Sequence, residues 1–252
     1  MESLPAVVEQ SGNILVVNAH PDDEILNAKV IAEVQRFAEV ESREIPLHGV
    51  HLTLGEATTK NVLADEGFDP SLGDRKDEGV DGALIAGFTS VEQFLATDGA
   101  LAGDGNWLVP ELAFLINRVR ADLIVGISKM SKWDSDDHKA AAAFTLAAAK
   151  QAYELGQGRR VINVLMLEGS LNGDVLVQHS ERSRRIVGQI ATANASQFRT
   201  TTEPRKDWIR ISEKCYMHPA DYAELGPYNI RGVSSYRLHS IGSLAVPRLA
   251  AA

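Results

Sequence analysis

Four short, largely apolar β-type runs, Ile14–Asn18, Leu47–Leu54, Leu123–Ser128 and Val161–Leu167, alternate along this chain with longer helical patterns. Runs of that length and character suit strands buried on both faces, the environment of a parallel sheet covered by helices. Helical periodicity covers Glu24–Val40 and Pro110–Val119, Ala140–Leu155 is an Ala-rich helix, and Glu181–Ala195 is a fourth. The alternation predicts an α/β fold, a Rossmann-like, mostly parallel sheet with helices on both faces and loop-rich insertions. The insertions are Gly55–Glu78, rich in Gly, Asp and Thr, and the tail from Thr200, punctuated by Pro204, Pro219 and Pro227. One domain over residues 1–200 is expected, with a C-terminal extension over 201–252 packing on it. Open α/β sheets bind ligands beyond the carboxyl ends of their strands, and the Gly55 insertion leaves such an end.

A chain of 252 residues can bury a core that needs no staple, and the lone Cys215 excludes a disulfide scaffold. The formal charge of −9 repels phosphate, so nucleic acid or an anionic membrane would require a local basic patch. The most basic stretch, Arg182, Arg184 and Arg185, lies beside Glu181 on a helical pattern and reads as a solvated helix face. No apolar run approaches the ~18–20 residues of a membrane span, and the first residues lack the basic start and apolar stretch of a signal peptide. A cytoplasmic protein with neither nucleic-acid nor membrane partners is expected. Neither GxGxxG nor a P-loop follows the first strand, so no nucleotide cofactor is expected.

The first apolar run leads directly into His20, Pro21, Asp22, Asp23 and Glu24. Pro21 suits the first turn of a helix. With a helix starting there, His20 and Asp23, three residues apart, converge on one point while Asp22 points elsewhere. An imidazole and a carboxylate are two metal ligands, and a cation would relieve the repulsion among three adjacent acids. The alternative is that the acids complement the helix dipole, worth roughly 0.3–1 kcal/mol each. His138 follows the third apolar run and opens the Ala-rich helix; a surface histidine with Asp136 or Asp137 as the helix cap is the alternative there. His48, His51, His179, His218 and His239 read as structural or exposed, with His51 and His218 the two to follow.

The segment Ala19-His-Pro-Asp-Asp-Glu24, standing after a strand, resembles the signature of the PIG-L/LmbE-like zinc-dependent de-N-acetylases. Thr53-Leu-Gly-Glu56, Arg75, Glu78, Phe94-Leu-Ala-Thr-Asp-Gly99, Asp137-His138 and Ser196-Gln197 extend the resemblance over residues 13–200. It implies Zn²⁺ held by His20, Asp23 and His138, with a coordination position left for water. Fe²⁺ is the alternative, because two histidines and one carboxylate also make a non-haem iron triad. The resemblance further implies Asp22 as general base on a zinc-bound water and Asp137 as a supporting catalytic carboxylate. Arg75 and Asp98 would hold sugar hydroxyls, and Trp133 would stack on a sugar ring. The implied reaction removes an N-acyl group, most simply N-acetyl, from a glucosamine-containing small molecule or glycoside. Some relatives form rings, which leaves a homo-oligomer open.

Three positions depart from the family pattern: Ser135 where relatives carry a histidine, Trp133 in place of a tyrosine, and Asn194 in place of a histidine before Ser196-Gln197. A serine cannot replace an imidazolium as an acid, so either Asp22 handles both proton transfers or another histidine fills the gap. Two further readings follow: hydrolysis of another amide or ester in the same site, or a metal- or carbohydrate-binding homologue without turnover. Asp22 weighs against the last, since a pure binding site needs no third acid beside its ligands.

Overall fold

The structure, a computed structural model, describes residues 3–57, 72–127, 136–158, 160–168, 174–178, 180–194 and 233–242. Its strands are β1 (Ile14–Asn18), β2 (Leu47–Thr53), β3 (Ser90–Ala96), β4 (Leu123–Ile127), β5 (Ile162–Glu168), β6 (Val175–Gln178) and β7 (Val233–Ile241). Its helices are α1 (Leu4–Glu9), α2 (Glu24–Glu41), α3 (Leu72–Ile85), α4 (Gly105–Arg118), α5 (Asp136–Leu155) and α6 (Glu181–Ala193). The strands form one sheet in the order β3-β2-β1-β4-β5-β7-β6. Pairing is parallel from β3 to β5, and β7 runs antiparallel to both β5 and β6. The expected mostly parallel sheet is therefore present, with helices on both faces.

Side-chain alternation sorts the two faces. In β1, Ile14 and Val16 join an apolar cluster with α1, α2 and α6, while Leu15 and Val17 join one with α4 and α5. Every residue of β1 and β4 is buried, which is why their sequences read as near-continuous apolar runs. The chain leaves β1 toward β2 on one side and later returns to lay β4 on the other. The crevice between the carboxyl ends of β1 and β4 is thus the switch point where an open α/β sheet holds its ligand.

Several boundaries differ from the sequence expectations. Pro110 does not start a helix: α4 begins at Gly105, continuing a 3-10 turn over Leu101–Asp104, and Pro110 sits inside it. Burial of Leu108 holds the turn before the proline against the core, and this packing overrides the proline signal. The Ala-rich helix begins at Asp136, four residues before Ala140. Within the supposed loop Gly55–Glu78, α3 already starts at Leu72, while residues 58–71 lie outside the described part. The edge strand β3 was not expected, because only Ala96 of its residues is buried and it carries no continuous apolar run. From the tail, β7 inserts between β5 and β6 with Tyr236 fully buried. No helix among the described residues is long and apolar enough to cross a membrane.

On α2, Lys29 is 4% exposed. Burial disfavours its ammonium and pulls its pKa down from 10.5 to about 6. Between those values the unfolded chain holds the proton and the folded one does not, so this group makes stability rise with pH, by up to about 1.4 kcal/mol per unit. Replacing Lys29→Met should remove that slope. In denaturant titrations, the stability of the variant relative to the parent should fall steadily from pH 7 to pH 9; a constant difference would contradict the burial of the charge.

Candidate metal centre

The exit of β1 is a turn rather than the first turn of a helix. His20 to Asp23 turn tightly, α2 starts only at Glu24, and Pro21 is therefore not its first residue. Asp22 takes a φ of 94°, in the left-handed region that non-glycine residues rarely adopt. Asp23 is the N-cap of α2 by position, yet its side chain makes no cap hydrogen bond. Its carboxylate turns the other way: Oδ2 accepts the His20 N–H at 2.9 Å and Oδ1 lies 3.1 Å from His138 Nε2. The convergence of His20 and Asp23 expected from the sequence is present, achieved by this turn.

His138, the third residue of α5, completes a group with His20 and Asp23 whose donor atoms all lie within 4.8 Å of one another. The two imidazole rings meet edge to face, with centroids 5.2 Å apart. The ring of His20 faces two directions. Its Nδ1 lies 3.6 Å from Asp23 Oδ2, whereas Nε2 lies 3.1 Å from Asp98 Oδ1 and 3.3 Å from Asp137 Oδ2. Ligands on a tetrahedral ion with bonds of ~2.0–2.1 Å stand roughly 3.3 Å apart. His20 Nδ1 and His138 Nε2 approach different oxygens of Asp23, at 3.6 Å and 3.1 Å, both near that value, so two imidazoles and a carboxylate are gathered as a divalent ion requires.

Electrostatics point the same way. Burial opposes a charge on His20, but the hydrogen bonds of Asp137, Asp23 and Asp98 outweigh it and raise its pKa to about 12. Burial would raise Asp23, yet His138 and His20 hold it below the usual carboxylate range. For Asp137 burial is likewise outweighed, by His20 and by the backbone N–H groups of Gly99 and Leu101, and its pKa is lowered. Three carboxylates around one imidazole make a site that attracts positive charge.

The neighbouring strand exits lock this arrangement. Thr53 donates both its N–H and its hydroxyl to the Ala19 carbonyl, at 2.9 Å and 3.0 Å, tying the end of β2 to that of β1. Gly55 follows at a φ of 69°. Glu56 Oε1 accepts the Asp98 N–H at 2.9 Å, and Asp98 Oδ2 accepts the Ala57 N–H at 2.7 Å. Asp137 accepts from Gly99 at 2.6 Å and from Leu101 at 3.0 Å, joining α5 to the exit of β3. A carboxylate on the outer nitrogen of a ligating histidine fixes its ring and tautomer. Asp137 and Asp98 occupy that position on His20.

Not every singled-out residue reaches this cluster. Arg75 lies on α3 with its side chain outside the described part, and Trp133, Ser135, Ser196, Gln197, His179 and His218 are outside it altogether. Asn194 is buried at the end of α6, where its amide donates to the Ile190 carbonyl and packs at Gly82 of α3. His48 pairs with Ser90 on the surface. His51 is fully buried and its ring nitrogens face Glu24 and Gln93, a link that sequence reasoning did not draw. Its signal was positional: His51 shares the sheet face of Leu47 and stands beside Asn18 in register.

A family model described as PIG-L, GlcNAc-PI de-N-acetylase, matches residues 15–149, more than half of the chain. The chain belongs to this deacetylase family. No curated protein matches it. Among solved structures it resembles N,N'-diacetylchitobiose deacetylase from Pyrococcus horikoshii, with a TM-score of 0.62 at 14% identity over 94% of this chain and 90% of that one. It also resembles GalB, the 4-carboxy-2-hydroxymuconate hydratase from Pseudomonas putida, with a TM-score of 0.62 at 19% identity over 90% of this chain and 95% of that one. The zinc-inhibited form of teicoplanin deacetylase Orf2 gives a TM-score of 0.59 at 14% identity over 90% of this chain and 98% of that one. At such identities these likenesses show the fold.

Metal titration separates the parts of the cluster. Outer-shell partners of metal ligands are worth about 10- to 100-fold in affinity, so His138→Ala should lower it more than ~100-fold and Asp137→Asn by ~10- to 100-fold. Asp22→Asn should keep parental affinity, because asparagine tolerates the left-handed backbone at this position. Binding unchanged in His138→Ala would remove this cluster as the metal centre.

Proposed function

We propose that this chain is a metal-dependent hydrolase that removes an N-acyl group, most simply N-acetyl, from a glucosamine-containing small molecule or glycoside. The observation that carries the reading is the convergence of His20, Asp23 and His138 at the β1/β4 crevice, with Asp22 between the first two in sequence, in a chain of a deacetylase family. A divalent ion held by those three residues, Zn²⁺ by family resemblance or Fe²⁺, would supply an acidified water and polarise the acyl oxygen.

Asp22 is the base in this reading, accepting the proton of the attacking water as the new C–O bond forms. The C–N bond then breaks, and the departing amine needs a proton. Ser135 stands where relatives carry a histidine, so Asp22 returns the proton it took. Asp137 supports the site through His20. Asp98 retains lone pairs for a sugar hydroxyl beside its contacts to His20 and Ala57, and Arg75 and Trp133 are the further substrate contacts implied by resemblance. A small-molecule substrate in the cytoplasm suits the net charge of −9, which disfavours nucleic acid and anionic membranes.

A second reading, addition of water to an unsaturated carboxylic acid, is raised by the hydratase that shares the fold. One panel separates the two: amine release from N-acetylglucosamine and its glycosides, beside hydration of unsaturated dicarboxylates followed by absorbance. Metal-stripped protein receives graded Zn²⁺ or Fe²⁺, because a relative is described in a zinc-inhibited form. Metal-dependent amine release is expected, with a loss of ~10²- to 10⁴-fold in Asp22→Asn, the range of general acid–base catalysis. Ser135→His should raise the rate if the missing acid limits turnover. Hydration without amine release would overturn the deacylase reading.

A further inference from the structure

Behind the metal cluster lies a buried polar pair. Glu24 and His51 are each 0% exposed and meet through Glu24 Oε1 and His51 Nε2. The second Glu24 oxygen, Oε2, accepts the Asp22 N–H at 3.1 Å. The other His51 nitrogen, Nδ1, faces Gln93 Nε2 at 3.5 Å, and that same amide donates to the Lys76 carbonyl at 3.0 Å. The Lys76 carbonyl fixes which way the Gln93 amide points, so only an N–H is presented to Nδ1. Nδ1 therefore accepts, and Nε2 carries the hydrogen given to Glu24.

Strand register builds this line. His51 of β2 pairs with Asn18 of β1 and with Gln93 of β3, and Glu24, the first residue of α2, lies against it. The line ends on the residue with the least favourable backbone at the site, Asp22 at a φ of 94°. A non-glycine residue stays in that region only where its surroundings over-determine it. The Glu24 carboxylate accepts from its backbone, and His51 accounts for the orientation of that carboxylate.

We propose that His51 is a positioning residue: by donating to Glu24 it fixes the carboxylate that holds the Asp22 amide, and so aims Asp22 for its work on the substrate. The proposal rests on Asp22 being the base of the reaction set out above. It requires no change of protonation at His51 or Glu24. Its content is geometric: the Nε2–H must be there, and the rest of the imidazole is replaceable.

That content can be tested with three variants. His51→Gln places an amide N–H where Nε2–H stood, His51→Asn is one carbon shorter and cannot reach Glu24, and His51→Leu removes the donor. With misplacement of a catalytic group worth about 10²-fold, kcat should fall ~10- to 100-fold in the Leu and Asn variants, with KM and Co²⁺ affinity near parental values. The Gln variant should recover most of the loss. Parental kcat in His51→Leu, a Gln variant no better than Asn, or metal affinity falling in step with kcat would each overturn the proposal. If His51→Leu does not fold, the Gln and Asn pair carries the test. Should the parent release no amine from any substrate, the functional reading fails by itself, and hydrogen exchange at the Asp22 amide decides the positioning role. Faster exchange in Asn than in Gln supports that role, and equal exchange overturns it.

Discussion

The carboxylate of Asp23 is buried between two imidazoles, and the site depends on how it is satisfied. Taking a carboxylate out of water is tolerable only where donors or cations meet its oxygens. One oxygen takes the His20 N–H and the other faces His138, so a single side chain joins the exit of β1, the start of α2 and the first turn of α5. A carboxylate spent on capping α2 would leave His20 and His138 without a shared partner. The cap is given up, and α2 keeps Glu24 as the acid of its first turn.

Around that carboxylate, support comes from backbone donors and not from bulk. The exits of β2 and β3 hold each other through Glu56, Ala57 and Asp98, and both exits hold α5 or β1 through Asp137 and Thr53. Such cross-links suit a site on loops, because each loop is pinned by groups that another loop would otherwise leave unpaired. The fold sets where the ligands stand without setting the reaction, as the shared fold of a hydratase and two deacetylases illustrates. In the proposed reaction, Asp22 as the base is what would turn a metal pocket into a hydrolase.

Much of this was legible in the chain. β1 and β4 are buried on both faces, so their apolar runs mark them within a residue, and the signature Ala19–Glu24 marks the exit between them. Less legible were elements whose burial is one-sided or whose partners are distant. β3 lies at the sheet edge with mixed exposure, β7 enters the sheet from the far end of the chain, and α4 ignores Pro110 because core packing of Leu108 outweighs one lost hydrogen bond. At the site, spacing brought His20 and Asp23 together but could not show that Asp137 would turn to His20, or that Glu24 would pair with His51, 27 residues away. Those contacts come from sheet register and turn geometry, which no local pattern encodes.

Anomalous diffraction at the metal edge, from crystals loaded with Zn²⁺ or Co²⁺, tests the metal centre most directly. One ion is expected within ~2.0–2.2 Å of His20 Nδ1, an Asp23 oxygen and His138 Nε2, with the outer nitrogen of His20 still on Asp98 and Asp137. An ion bound instead through His20 Nε2 with Asp98 and Asp137, or no ion at either group, would contradict this placement.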